Sequence, residues 1–451
     1  MVLPNSIFVE ANDFLSWYSG NTIFGKPKIS TSNDAVAALS DAGLAFEWAD
    51  FFNFPHNSLS SLGGKDFVVG TSAAEIFLHT DEAFTLDAGG GANGVYGGSG
   101  NNFVRTGGGA DTIVLTSGNN VIISEAGANN ISVTIGNNFI STGLGADVIT
   151  ATSGNNIINA GDGANTVTVS SGINMITTGN GADNITTGGV KNGGNTINAG
   201  DGANTITTGA GADTITGGND ADTITSGAGA DTVHAGNGAN TITTGAGDDD
   251  VYTGHHVDTV SAGLGNDKIY IYGGTDTISA GAGNDTLIVE YGRAVAAVSV
   301  NSLSGNLENG YSGNISGLGA ATFLGVENFR ITSYFHNDVI TTGGGDDIIS
   351  TGDGDDIINA GSGADIMTGG AGSDEFIFED GFGIDEIIDF NALDGDEVIL
   401  SNLTGITDYS DLTANHLIAN ASGDAVIFDG ANTITLTDVL IADLDATDFI
   451  F

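Results

Sequence analysis

Residues 199–234 read AGDGANTIT-TGAGADTIT-GGNDADTIT-SGAGADTVH, four nine-residue units in phase. The common unit has Gly at positions 2 and 4, Asp or Asn at position 6 and an apolar residue at position 8. Working outward, the same phase holds in TGLGADVIT at 142–150, TGGGADTIV at 106–114 and AGAGNDTLI at 280–288. From Ala88 to Ile288 there are 22 units, and one of them, Thr187–Asn198, carries three extra residues before the phase resumes. A second block runs from Ser333 to Ile377, with TGGGDDIIS at 342, TGDGDDIIN at 351, AGSGADIMT at 360 and GGAGSDEFI at 369. A nine-residue unit with one inward apolar side chain cannot bury a core alone, so the units must stack, each giving a short strand and a glycine-permitted tight turn. The repeat therefore predicts an all-β solenoid.

Composition agrees and narrows the partners. Eight basic against 56 acidic side chains leave a net charge of −48 on 451 residues, which argues against a nucleic-acid partner. Glycine supplies 73 residues, proline 3 and cysteine none, which excludes collagen, a disulfide framework and thiolate metal sites. With 40% apolar residues the chain is too hydrophobic for a disordered acidic tail. No run reaches the length of a membrane helix, and MVLPNSIFVEANDFLSWYSG lacks both the basic and the continuous apolar region of a secretory signal.

The units resemble GGxGxDxUx, the signature of the repeats-in-toxin (RTX) family, over most of the middle of the chain. That resemblance implies a right-handed parallel β-roll in which two nonapeptides make one turn and calcium ions sit between successive turns. Alternate units then share one edge. Sorted in this way, position 6 of the first edge holds Asn102, Asn120, Asn138, Asn156, Asn174 and Asn195, then Asp213, Asp231, Asp249, Asp267 and Asp285. The second edge alternates Asn93, Asp111, Asn129, Asp147, Asn165, Asp183, Asn204, Asp222, Asn240, and ends in Asp258 and Asp276. In the later block Asp338, Asp347, Asp356, Asp365 and Asp374 hold the equivalent place, with further acids at Asp346, Asp353 and Asp355. Calcium takes six to eight hard oxygen ligands, which carboxylates and turn carbonyls supply together. By the resemblance, the metal ligands are Asp111, Asp147, Asp183, Asp213, Asp222, Asp231, Asp249, Asp258, Asp267, Asp276, Asp285, Asp338, Asp347, Asp356, Asp365 and Asp374, with full sites along Asp213–Asp285 and weaker ones on the alternating edge.

The Asn edge departs from the pattern: it reads LTSGNNVII, VTIGNNFIS and ATSGNNIIN, without Gly at position 2. Two roles fit it, a hydrogen-bonded ladder of stacked Asn side chains or weak calcium ligation. Position 8 predicts inward aliphatic rows. Positions 7 and 9, such as Thr205, Thr207, Thr214 and Thr216, face outward, where Thr is a good strand residue and also resembles the flat arrays of ice-binding solenoids.

The flanks divide the rest. Residues 1–69 carry both tryptophans, Trp17 and Trp48, and a cluster at Phe46, Phe51, Phe52 and Phe54, read as a solenoid cap or a docking region, with a short helix capped near Ser32–Asp34. Residues 70–288 form the main roll, 289–332 a β insertion, 333–377 the second calcium block, and 378–451 a C-terminal β region that resembles the export signal of type I secretion and ends in Asp448-Phe449-Ile450-Phe451. There is no HExxH helix and no GxSxG elbow, and His255-His256 is the sole adjacent histidine pair. The expected function is a non-catalytic, secreted calcium-binding structural protein, a surface-layer, matrix or filament subunit, that folds and assembles on meeting extracellular calcium. Its expected partners are calcium, the type I secretion machinery and further copies of itself. The alternatives are an ice- or glycan-binding adhesin and a secreted enzyme with an unrecognised site.

Overall fold

The structure is a computed structural model describing residues 66–79, 83–188, 193–291, 296–317 and 319–451. The expected aromatic cluster and its helix lie outside the described residues. The chain divides into two compact units, residues 1–200 and 201–451.

In the first unit short strands alternate between two parallel sheets. The first sheet stacks Phe103–Thr106, Val121–Ser124, Phe139–Ser141, Ile157–Asn159 and Met175–Thr177, and the second Thr112–Leu115, Asn130–Val133, Val148–Ala151 and Thr166–Val169. Each residue pairs with the one 18 positions on, as in Ile149↔Val167. The three extra residues change one step to 21, Ile176↔Ile197, without losing register. Among the described residues Asp66–Val69 already pairs with Phe84–Asp87, so coil structure is present ahead of the expected boundary at residue 70.

Position 8 supplies the core, because a β-branched residue between two outward polar residues fits a half-buried strand. Ile113, Ile131, Ile149, Val167 and Ile185 are fully buried, as are Ile206, Ile215, Val233 and Val251 in the second unit. The turn demands glycine where coils touch: Gly247 has φ +135°, and a Cβ there would fall 1.9 Å from the carbonyl oxygen of Gly229 in the coil below.

The second unit repeats this plan through Thr286–Glu290 and then departs from it. Residues Ser299–Asn306 and Gly310–Ser316 form an antiparallel hairpin, and Ala320–Val326 pairs with it on one side and with the coil of Thr277–Ala282 on the other. The next strand, Asn328–Thr332, returns to the first sheet beside Thr286–Glu290. The expected insertion at 289–332 therefore contains one complete coil, and only the hairpin is extra. The coils continue past residue 377: Ile384–Ile387 and Glu397–Asn402 remain parallel to the stack. They are followed by antiparallel strands Ala425–Asp429 and Asn432–Leu436, and the chain ends with Phe449–Ile450 paired to Val398–Ile399. Among the described residues no helix is long and apolar enough to cross a membrane.

Candidate metal centre: the position-6 columns

All sixteen expected ligands are buried, each at the inner side of a turn. Strand register stacks them, since position 6 immediately precedes the paired residues of each strand. On the Asp column the backbone N–H of one coil donates to the side chain of the next: Asp213 to Asp231 Oδ1 (2.8 Å), Asp231 to Asp249 (2.8 Å), Asp249 to Asp267 (2.9 Å) and Asp267 to Asp285 (2.9 Å). One carboxylate oxygen per rung is thereby used. The stacked carboxylates are thus not wholly unpaired, and the repulsion between like charges stacked in this way is partly offset by these donors.

The other oxygen is left over. Oδ2 of Asp231, Asp249, Asp267 and Asp285 is buried without a hydrogen-bond partner, as is that of Asp111, Asp147, Asp222, Asp258, Asp347, Asp356, Asp365 and Asp374. A buried unpaired carboxylate oxygen costs several kcal/mol, so the rows call for a cation or a proton. Desolvation pushes the metal-free carboxyls of Asp222, Asp231, Asp249, Asp267, Asp276 and Asp285 up to about 6, and those of Asp258, Asp365 and Asp374 to about 7. The backbone N–H donors oppose this and do not overcome it. Asp347 is held well above the usual carboxylate range by burial, with Asp365 and Asp346 adding to the shift.

The Asn column solves the same geometry without a cation. Asn120 Nδ2 donates to Asn138 Oδ1 (2.8 Å) and to the turn carbonyl of Gly118 (2.9 Å), while its backbone N–H donates to Asn138 Oδ1 (3.1 Å). Asn102, Asn138, Asn156 and Asn174 repeat all three bonds, Asn174 reaching Asn195 across the longer coil. An amide NH2 stands where the Asp column has a second acceptor. Of the two roles open to this edge, the ladder is the one observed.

The alternating edge mixes the two solutions. Asn129 Nδ2 bonds the carbonyls of Glu125 and Gly127, and Asn165 Nδ2 those of Gly161 and Gly163, whereas the intervening Asp147 keeps an unpartnered Oδ2. Asp338 differs from its neighbours, because the Ser333 hydroxyl donates to its Oδ2 (2.5 Å).

These residues fit calcium. The orphaned oxygens are hard donors, and backbone oxygen stands beside them: a Cβ at Gly217 would fall 2.5 Å from Asp222 Oδ2 and 2.4 Å from the carbonyl oxygen of Ala235. Among the described residues no cluster of three or more acidic or histidine side chains forms a metal site. A cation here would draw on carboxylates from successive coils together with backbone oxygens.

Three acids in these columns escaped sequence reasoning. Glu327, at the equivalent place in the insertion coil, accepts the N–H of Asp285 through Oε2 (2.8 Å). Asp385 accepts from Asp365 (3.1 Å) and Asp396 from Asp374 (3.0 Å). Their coil spacings are 42, 20 and 22 residues, so an 18-residue sort misses them, although Gly325-x-Glu327-x-Phe329 keeps the GxDxU outline. A second ladder, at position 5, also went unseen. Asn119, Asn137 and Asn155 donate their N–H groups to Asn101, Asn119 and Asn137 Oδ1 (2.7–2.8 Å), in the direction opposite to the inner bonds.

On the outer faces Thr205, Thr207, Thr214, Thr223, Thr241, Thr243 and Thr259 are exposed, as expected. The first-sheet face is interrupted by a stack of His234, Tyr252 and Tyr270, with centroids 4.3 and 4.2 Å apart. His255 meets Tyr272 edge-on, and His256 Nδ1 accepts the N–H of Gly238.

Comparison with known proteins agrees with this chemistry. No curated protein matches the chain. Among solved structures it is similar to the extracellular lipase LipA from Serratia marcescens, at 17% identity over 47% of this chain and 40% of the lipase, with a TM-score of 0.22. The match thus spans well under half of the lipase. The profile of the RTX calcium-binding nonapeptide repeat matches ten overlapping segments that together cover residues 85–176, 191–254, 256–287 and 336–383, just over half of the sequence. The chain belongs to the RTX calcium-binding nonapeptide-repeat family.

Proposed function

We propose that this β-roll protein is a secreted, non-catalytic structural protein whose second unit folds when extracellular calcium fills the Asp columns, and which then assembles with further copies. The observation that carries this reading is the contrast within one fold. From Asn102 to Asn174 each rung is closed by its own amide; at Asp231, Asp249, Asp267 and Asp285 each rung holds a buried oxygen with no hydrogen-bond partner. The expected ligands are the sixteen Asp residues named above, joined by Asp385 and Asp396. When bound, calcium would neutralise the facing carboxylates, so that binding free energy becomes folding free energy. In low calcium the columns repel and the second unit stays open, which suits export of an unfolded, cysteine-free chain through a type I system read from residues 378–451.

Calcium titration followed by circular dichroism and size-exclusion chromatography tests the folding step. β structure should rise cooperatively and collapse again with EDTA, and a chain fully folded in EDTA would sink the reading. Electron microscopy at high protein concentration tests assembly, which falls if the calcium-loaded protein stays monomeric. A second reading rests on the in-register Thr column Thr205, Thr223, Thr241, Thr259 and Thr277 of the second sheet, a flat outward array of the kind that binds ice. Thermal hysteresis in the presence of calcium would favour it.

A further inference from the structure

The two acidic blocks are separated in sequence by the insertion, yet Glu327 joins them in space. Its carboxylate accepts the N–H of Asp285, and it is only 5% exposed. In the following coil the N–H of Phe329 donates to Asp347 Oδ1 (2.7 Å). Pairing shifts by two residues across this strand, since Phe329 aligns with Leu287 on one side while Arg330 aligns with Ile348 on the other. No motif Asp can stand at such a slip and remain in column with both neighbours. Both Asp285 and Asp347 are fully buried, and each keeps an unpartnered Oδ2.

The hairpin adds a roof. A Cβ at Gly310, where the second hairpin strand begins, would lie 2.6 Å from Glu327 Oε1 and 2.5 Å from the Cα of Gly325. Tyr311 and Leu303 then cover the turn leading into Asp347: a Cβ at Gly344 would meet the Tyr311 hydroxyl at 2.6 Å, and one at Gly343 would meet Leu303 Cδ2 at 2.6 Å. Gly344 and Gly345 are buried in consequence, whereas at the same places in the turn of Asp231 Ala228 is exposed and Gly229 half-buried.

We propose that Glu327 completes a calcium site with Asp285 that the nonapeptide motif does not encode, and that the hairpin tip closes this junction so that its ion exchanges more slowly than the rest of the array. This rests on the calcium-binding reading of the Asp columns.

The experiment is a chelator chase on the calcium-loaded full chain, with bound calcium counted by elemental analysis and release followed with a fluorescent chelator. Wild type should show a separate slow phase. Glu327→Gln keeps a carbonyl acceptor for the Asp285 N–H, so a merely structural role would leave the count unchanged; we expect loss of one bound ion together with the slow phase. Tyr311→Ala should keep the full count at saturating calcium and lose only the slow phase. A wild type that binds no calcium overturns the proposed function itself. Full binding with unchanged count and slow phase in Glu327→Gln overturns this inference alone. Should that variant fail to fold, a slow phase unaltered in Tyr311→Ala does the same.

Discussion

The coils around Asn120 and those around Asp249 share a backbone, a register and an aliphatic interior, and differ by one atom per rung. In the first, Nδ2 links a neighbouring amide to a turn carbonyl; in the second, Oδ2 is buried without a hydrogen-bond partner. The difference teaches that a parallel β-roll has two routes to the same closed turn, one complete within the protein and one that waits for a cation. It also explains how a chain of charge −48 folds at all: much of the early stack needs no neutralisation.

The largest test of this contrast is calcium removal watched by hydrogen exchange. In EDTA, amides of the Asp213–Asp285 and Asp338–Asp385 coils should exchange about a hundredfold faster or more, while those between Asn102 and Asn174 stay protected. Uniform loss of protection would break the comparison.

Acid should stand in for calcium. Unfolded aspartates titrate near 3.8, whereas burial raises Asp231 to about 6 and Asp258 to about 7, and Asp385 is raised to about 8 by burial and by its neighbour Asp365. The folded form therefore holds more protons. Their contribution to metal-free stability is complete below about pH 4 and is lost as pH rises through 6 to 8. Denaturation in EDTA should show the second unit more stable at pH 4.5 than at 7.5, and calcium affinity should run the opposite way. The Asn column has nothing to titrate and should be indifferent.

Exchanging the rungs probes single sites. Asn138→Asp places a carboxylate between two amide rungs and should cost about 3 kcal/mol in EDTA, read from chemical denaturation. The reverse triple change, Asp231→Asn with Asp249→Asn and Asp267→Asn, should abolish the ions of that stretch and raise metal-free stability by about 1 kcal/mol per rung. The smallest effect is expected at the surface, where Thr205→Ala should shift stability by no more than about 0.5 kcal/mol.

How far the sequence carried this result follows from what repeats. The solenoid, the 18-residue step and the two columns were legible because Gly, Asx and an aliphatic residue recur in phase. Glu327, Asp385 and Asp396 were not, since their coils are lengthened by loops that break the count while the strands restore the stacking. The hydrogen-bond roles were hidden for another reason. Asn and Asp are nearly isosteric, and only the position of the turn carbonyls decides whether the extra atom must be a donor.

The step of 18 residues between stacked partners sets the grain in which this protein can change length. A deletion or duplication of 18 residues moves one coil and leaves each column in line, whereas one of nine would exchange the two edges and, in the early coils, set Asn against Asp. On the alternating edge even 18 is too fine a step to be neutral, and only 36 preserves the order. The three-residue lengthening that still delivers Asn195 to Asn174 shows that the loops absorb what the columns refuse. Length is thus nearly a free variable, but a quantised one.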